Sequence, residues 1–173
     1  MNVERKLTNQ DAFDIAVLHL LNQGHGCFSA SGKSRYRAPH GKSAIGALIP
    51  DYLYVISMEG KTIRQMLAAS SADYANLRER LGGVTTPLLS ELQDLHDRIG
   101  GCLPSLFRHL VLAGCYRIAQ EFGLSARMAH LWVAYQHIPG PQIIRNAAEL
   151  PASHGITPQQ ALDRPSEDLK LVA

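Results

Sequence analysis

A chain of 173 residues with 46% hydrophobic side chains can bury one ordinary core or two small ones, which excludes disorder as its dominant state. Its apolar runs are far shorter than the roughly 20 residues of a membrane-spanning helix, and residues 1–7 are followed by Asp11 and Asp14 rather than an apolar signal core, so a cytoplasmic protein with no membrane partner is expected. A net charge of +2 is too small for a strong non-specific nucleic-acid binder, and any affinity for DNA has to come from local placement of charge.

Over residues 9–22, Phe13, Val17, Leu20 and Leu21 recur at helical spacing and Gly24 stops the pattern, which predicts an amphipathic helix. His19 within it reads as a partly buried or surface histidine, not a ligand. A stretch rich in Gly and Ser follows over residues 24–32. Residues 34–38 and 43–49 then flank Pro39-His40-Gly41-Lys42, a composition that predicts a hairpin turn between two short segments. In a strand, Lys33, Arg35 and Arg37 would share one face because side chains alternate. That face reads either as a solvated edge guarded by charge or as a surface for phosphate or an acidic partner.

Pro50 and Asp51 close this element, and Glu59-Gly60 marks a break before a short helix over residues 61–68, with Ile63, Met66 and Leu67 inward. Two further helices are predicted over residues 73–81 and 87–99, separated by Gly82-Gly83. In the second, Leu88, Leu89, Leu92 and Leu95 form an apolar stripe, while Glu91, Asp94, Asp97 and Arg98 can face water. Gly100-Gly101, followed by Pro104, is the candidate domain boundary. The expectation is mainly α: a small α+β domain of helices plus a β-hairpin over residues 1–101, a helical domain over 102–165, and a tail over 166–173.

Acid–base candidates in the first domain are few. They are Asp51 after Pro50, which reads as a turn residue, Glu59 before Gly60, and Asp94 and His96, which are two apart on a helix and do not face each other; His25 and His40 lack partners at metal-ligand spacing. Cys27, Cys102 and Cys115 are widely spaced and odd in number, as expected of ordinary thiols in a reducing compartment. With no phosphate-binding glycine loop and no nucleophile motif, the expectation is a protein that is not an enzyme and takes no cofactor or metal.

The densest signal is CYRIAQEFGLSARMAHLWVAYQHIPG, from Cys115. Ile118, Ala119 and Phe122 form one apolar face with a small residue where a second helix approaches. Gly123 supplies a tight turn, Leu124 plugs its angle, and Ser125 is a good N-cap. In the next helix Ala129, Trp132 and Val133 can face the first, leaving Ser125, Ala126, Arg127 and His130 outward, where they would enter a major groove. Leu131 would suit a thymine methyl or a protein partner. Arg117, Arg127 and Arg145 lie at or near helix starts in the half expected to face DNA.

This pattern, with Ile138-Pro139, resembles the Cro and YdaS-like repressors of phages and prophages. The resemblance extends upstream, where residues 106–114 are similar to their first helix and the link into the second. It also extends downstream, over residues 141–149 and 155–165. It implies a five-helix DNA-binding domain that reads double-stranded operators as a homodimer, with two recognition helices about one DNA turn apart. Separately, YRAPHGKSAIGALIPDYLYVISMEGKTI, with the later LLSELQDLHD, resembles a widespread family of uncharacterised bacterial and phage proteins carrying YRGPDG-x-KCAIGxLIPD, in which a cysteine often stands at the position of Ser43. That second resemblance implies no activity.

Two functions therefore stay open. One is a repressor-type transcriptional regulator whose first domain dimerises or senses. The other is a phage-borne inhibitor of a host defence system, of the anti-CRISPR kind, whose first domain binds a host protein through Lys33, Arg35 and Arg37 while a helix-turn-helix autoregulates or dimerises.

Overall fold

The computed structural model describes residues 6–135. Among them are seven α-helices and one two-stranded antiparallel sheet. Helix α1 (Asn9–Gln23) starts at a capping box: the Thr8 hydroxyl accepts from the Asp11 amide at 3.1 Å, and the Asp11 carboxylate accepts from the Thr8 amide at 2.9 Å. It buries Ala12, Phe13, Ala16, Val17, Leu18, Leu20 and Leu21, which is more than the single face expected. Ala12 and Ala16 leave room for neighbours on a second side, and four helices pack around α1: α2 (Ala44–Leu48), α5 (Thr86–Ile99), α6 (Pro104–Phe122) and α7 (Arg127–Tyr135).

The expected hairpin turn is present but short. Strands β1 (Arg37–Ala38) and β2 (Gly41–Lys42) pair Arg37 with Lys42 and Ala38 with Gly41. Residues 43–49 do not continue the second strand. Ser43 accepts from the Gly46 amide at 3.0 Å and caps α2, whose Ala44, Ile45, Gly46 and Leu48 are all buried. A side-chain cap together with burial on several sides here outweighs the short apolar run that reads as strand. Gly46 is required by packing, since a Cβ there would lie 2.0 Å from the Tyr36 carbonyl oxygen.

Two 3-10 turns, Asp51–Leu53 and Ile56–Met58, carry the chain to α3 (Ile63–Ala68), which Thr62 and Gln65 start with a second capping box. Another 3-10 turn, Ala72–Tyr74, precedes α4 (Ala75–Leu81). Helix α5 buries Leu88, Leu89, Leu92 and Leu95 as the stripe predicts, and adds His96 and Ile99.

Helix α6 runs unbroken through Gly114, so the separate first helix and link implied over residues 106–114 are absent. Gly114 instead permits close approach: a Cβ there would meet Leu95 Cδ1 at 2.3 Å. One apolar cluster joins Leu88 and Leu92 of α5 to Phe107, Val111, Cys115 and Ile118 of α6 and Ala129 of α7, and it continues across Gly100-Gly101. The expected elements over residues 141–149 and 155–165, the tail over 166–173, and Ile138-Pro139 and Arg145 lie outside the described residues. No described helix is long and apolar enough to cross a membrane.

Candidate functional site

The two helices read as a helix-turn-helix meet at Gly123, which adopts φ 63°, ψ 36° in the left-handed region. The Ala119 carbonyl accepts from the Gly123 amide, and from that of Leu124 at 2.8 Å. Ser125 Oγ then accepts from the Arg127 amide at 3.2 Å, at the start of α7. Met128 and Ala129 are buried, and half-buried Trp132 donates from Nε1 to Asn22 Oδ1 of α1 at 2.8 Å. At 100° per residue, this leaves Arg127, His130 and Ala134 on the opposite side of α7.

The surroundings of that edge differ from the expectation in several respects. Val133, expected to face α6, is exposed. Leu131 is not open to a groove, because it packs with Leu18 and Met128. Ala126 packs against the main core rather than pointing outward. Ser125 is exposed, but its amide donates to Gln10 Oε1 and its carbonyl accepts from Gln10 Nε2, each at 2.9 Å. His130 is half-buried, with its ring 5.2 Å from that of Tyr116. Arg127, also half-buried, lies within electrostatic reach of Asp14. For Ser125, Arg127 and Leu131 the physical cause is shared: α1 covers one flank of α7, and no local sequence signal reports a helix more than 100 residues away.

The cations of α6 and α7 are engaged as well. Arg117 bridges Glu91 at 2.6 Å and Glu121 at 2.9 Å. Arg108 donates from Nε to the Leu21 carbonyl at 2.8 Å, with its guanidinium 6.0 Å from the Trp132 ring centre. Phosphate binding releases counterions in proportion to the cations that reach the backbone, and these two helices offer few.

A different surface forms at the hairpin. Lys33, exposed, sits in a turn that its own amide and carbonyl close with Ser29, not in a strand alternating with Arg35 and Arg37. Arg35 lies within electrostatic reach of Tyr54. Arg37 turns inward: Nη2 donates to the Ile49 carbonyl at 2.7 Å, Nη1 meets Asp51 Oδ1 at 2.7 Å, and the guanidinium stacks 4.4 Å from the Tyr54 ring centre. Glu59 fixes the backbone beneath, accepting from the amides of Tyr36 at 3.1 Å and Arg37 at 3.0 Å and from the Tyr54 hydroxyl at 2.9 Å.

Lys42, directly across the ladder from Arg37, reaches the same Asp51 oxygen at 2.9 Å. Its backbone is tied to α1, because its carbonyl accepts from His19 Nε2 at 2.9 Å and its amide donates to Gln23 Oε1 at 2.9 Å. A carbonyl only accepts, so His19 carries its proton on Nε2, and burial lowers its pKa. The hydrogen bond from Lys42, with its charge and that of Arg37, holds the exposed Asp51 carboxyl below the usual range. Beside this cluster the 3-10 turns expose Tyr52 (67%) and Ile56 (74%). The sequence pattern points to Lys33, Arg35 and Arg37, of which Lys33 stands apart in its own turn, and gives no comparable signal for Lys42, Tyr52 or Ile56. The Arg37–Lys42 pairing follows from a two-residue turn, and that register was the available signal.

Buried Cys27 and His96 and exposed Asp97 form a further group, behind the hairpin. His96 is fully buried and stacks on Phe28 at 5.1 Å. Its Nε2 accepts from the Cys27 backbone amide at 2.8 Å, so Nδ1 bears the proton and donates to Asp97 Oδ1 at 3.0 Å. Burial opposes ionisation of Asp97, but hydrogen bonds from His96 and Ser34 hold its pKa below the ordinary value. The Cys27 thiol donates to the Gly41 carbonyl, and burial pushes its pKa up to about 11. His96 thus grips the backbone of Cys27 rather than its sulfur, and the group fastens the loop before the hairpin onto α5. Among the described residues, no group of three or more His, Cys, Asp or Glu is placed to hold a metal ion. No protein-family model, curated protein or solved structure matches the chain.

Proposed function

We propose that this chain is a binding protein whose contact surface is the hairpin with the adjoining turns, and that its partner is an acidic protein. The observation that carries this reading is the segregation of charge. Residues 33–64 hold six Lys and Arg against two acids, a net +4, whereas the whole chain has 17 against 15, so the remainder holds 11 against 13, a net −2. Both acids of the segment are engaged internally, Asp51 by Arg37 and Lys42 and Glu59 by two amides and the Tyr54 hydroxyl. Tyr52 and Ile56 beside them supply the apolar anchors typical of interface centres.

The test is a photo-crosslinking amino acid placed at Ile56 and, as a control, at exposed Gln120 of α6, in cells that produce the protein. An adduct with an acidic protein at position 56 alone, lost when Arg35 and Lys42 are both changed to Glu, is the expected result. Equal adducts at both positions would refute the assignment.

The Gly123 turn specifically favours a second reading, a repressor-type DNA-binding regulator using Arg127 and His130. Its test is a gel shift with DNA upstream of the gene. Sequence-selective binding lost in the Arg127→Ala, His130→Ala double variant supports it, and absence of a shift removes it.

A further inference from the structure

We infer that Arg37 and Lys42 form a carboxylate-recognition site, which Asp51 of the same chain occupies as a placeholder for a side-chain carboxylate of the acidic partner. This rests on the proposed contact surface and adds the chemistry of its centre.

Arg37 and Lys42 are directly opposed in a two-stranded sheet, and like charges in that position repel. An anion placed between the two cations relieves that repulsion. Asp51 supplies it through a single oxygen, Oδ1, at 2.7 and 2.9 Å. The Asp51 side chain is 80% exposed, whereas Arg37 is 18% and Lys42 35% exposed. The Arg37 half of the site is therefore set into the protein, Lys42 flanks it, and the Asp51 anion lies outermost.

The cations are also preorganised. Arg37 is fixed by the Ile49 carbonyl, by Glu59 through its own amide and by the Tyr54 ring. The backbone of Lys42 is held by His19 and Gln23. An incoming carboxylate finds the Arg37 guanidinium and the Lys42 backbone already ordered, which limits the entropy lost on binding. An exposed ion pair to Asp51 offers only weak competition. Tyr52, next to Asp51 in the chain, provides apolar surface for the residue that bears the carboxylate. The shared charge with Arg35 near Tyr54 favours a segment with more than one acid.

The experiment titrates the full chain with a soluble glutamate oligomer by calorimetry at low salt, with double-stranded DNA and inorganic phosphate as further arms. Wild type is expected to bind the oligomer. Asp51→Asn, which removes the competing anion and keeps the shape, is expected to bind it about threefold to tenfold more tightly. Lys42→Gln is expected to lose binding, with unchanged circular dichroism showing that it has folded. Unchanged or weaker binding by Asp51→Asn overturns the placeholder. If the Arg35→Glu, Lys42→Glu variant still loses binding in that case, the contact surface stands without it. Failure of wild type to bind the oligomer overturns both, and tighter binding of DNA or phosphate than of the oligomer overturns the carboxylate assignment.

Discussion

Asp14 lies on α1, where Gln10 links it to the start of α7 by donating to Asp14 Oδ1 at 2.9 Å and to the Ser125 carbonyl. Burial raises its pKa from 3.8 to about 7, with the Gln10 hydrogen bond opposing, the charge of Asp11 reinforcing and that of Arg127 opposing. Between these two values the folded protein keeps a proton that the unfolded chain has released. The contribution of Asp14 to stability is therefore full below about pH 4 and is lost as pH rises through about 7. At 1.36 kcal/mol per pH unit, the loss reaches about 2 kcal/mol at pH 5, about 3 at pH 6 and about 4 above pH 7.

Replacing Asp14 with Asn keeps an oxygen for Gln10 and removes the ionisation. Urea unfolding between about pH 4 and pH 8 reads the effect, followed by fluorescence of the single tryptophan, Trp132 on α7, and by circular dichroism. The variant is expected to match wild type at the acid end and to exceed it progressively towards pH 8, by up to about 4 kcal/mol. Parallel curves for the two proteins would show that Asp14 titrates as an ordinary carboxylate and would refute the reasoning. Where the tryptophan signal changes before the dichroism, α7 separates from α1 before the rest of the core unfolds.

Two further outcomes test the packing. Gly46→Ala puts a Cβ 2.0 Å from the Tyr36 carbonyl oxygen, a backbone atom that cannot rotate away, and should lower stability by about 2–3 kcal/mol, whereas Gly114→Ala meets only the rotatable end of Leu95 and should cost less; thermal melts of the two variants measure the difference. In the native state iodoacetamide should label partly exposed Cys102 but not buried Cys27 or Cys115, whose thiols burial pushes up to about 11 and about 12. Mass spectrometry identifies the sites, and labelling of Cys27 at the rate of Cys102 would contradict its burial.

The legible parts of this fold are those that local chemistry specifies. Helix α5 carries its four leucines on one stripe, α1 ends at Gly24 in the left-handed region, and Pro39-His40 turns the hairpin just before Gly41, each legible within a few residues. The strand expected over residues 43–49 failed for a local reason too, because a Ser43 cap and a buried helix compete with an apolar run of the same length. Arg35 and Arg37 were legible as a charged pair, but Arg37 is half of a site whose other members, Lys42 and Asp51, come from the opposite strand and the next turn.

The amino-acid order by itself determined the extents of α1 and α5, the leucine stripe of α5, and that the positive charge gathers around the hairpin. Only the tertiary structure decided which charges remain available. Arg117 and Arg37 both follow a tyrosine in the chain, and Glu91, 26 positions before one, and Asp51, 14 after the other, pair with them. The same holds for α7, whose edge is set by α1 through contacts between Gln10 and Ser125 and between Asn22 and Trp132. Periodicity fixes the direction of a side chain on its own helix, whereas its exposure depends on what the rest of the chain brings alongside.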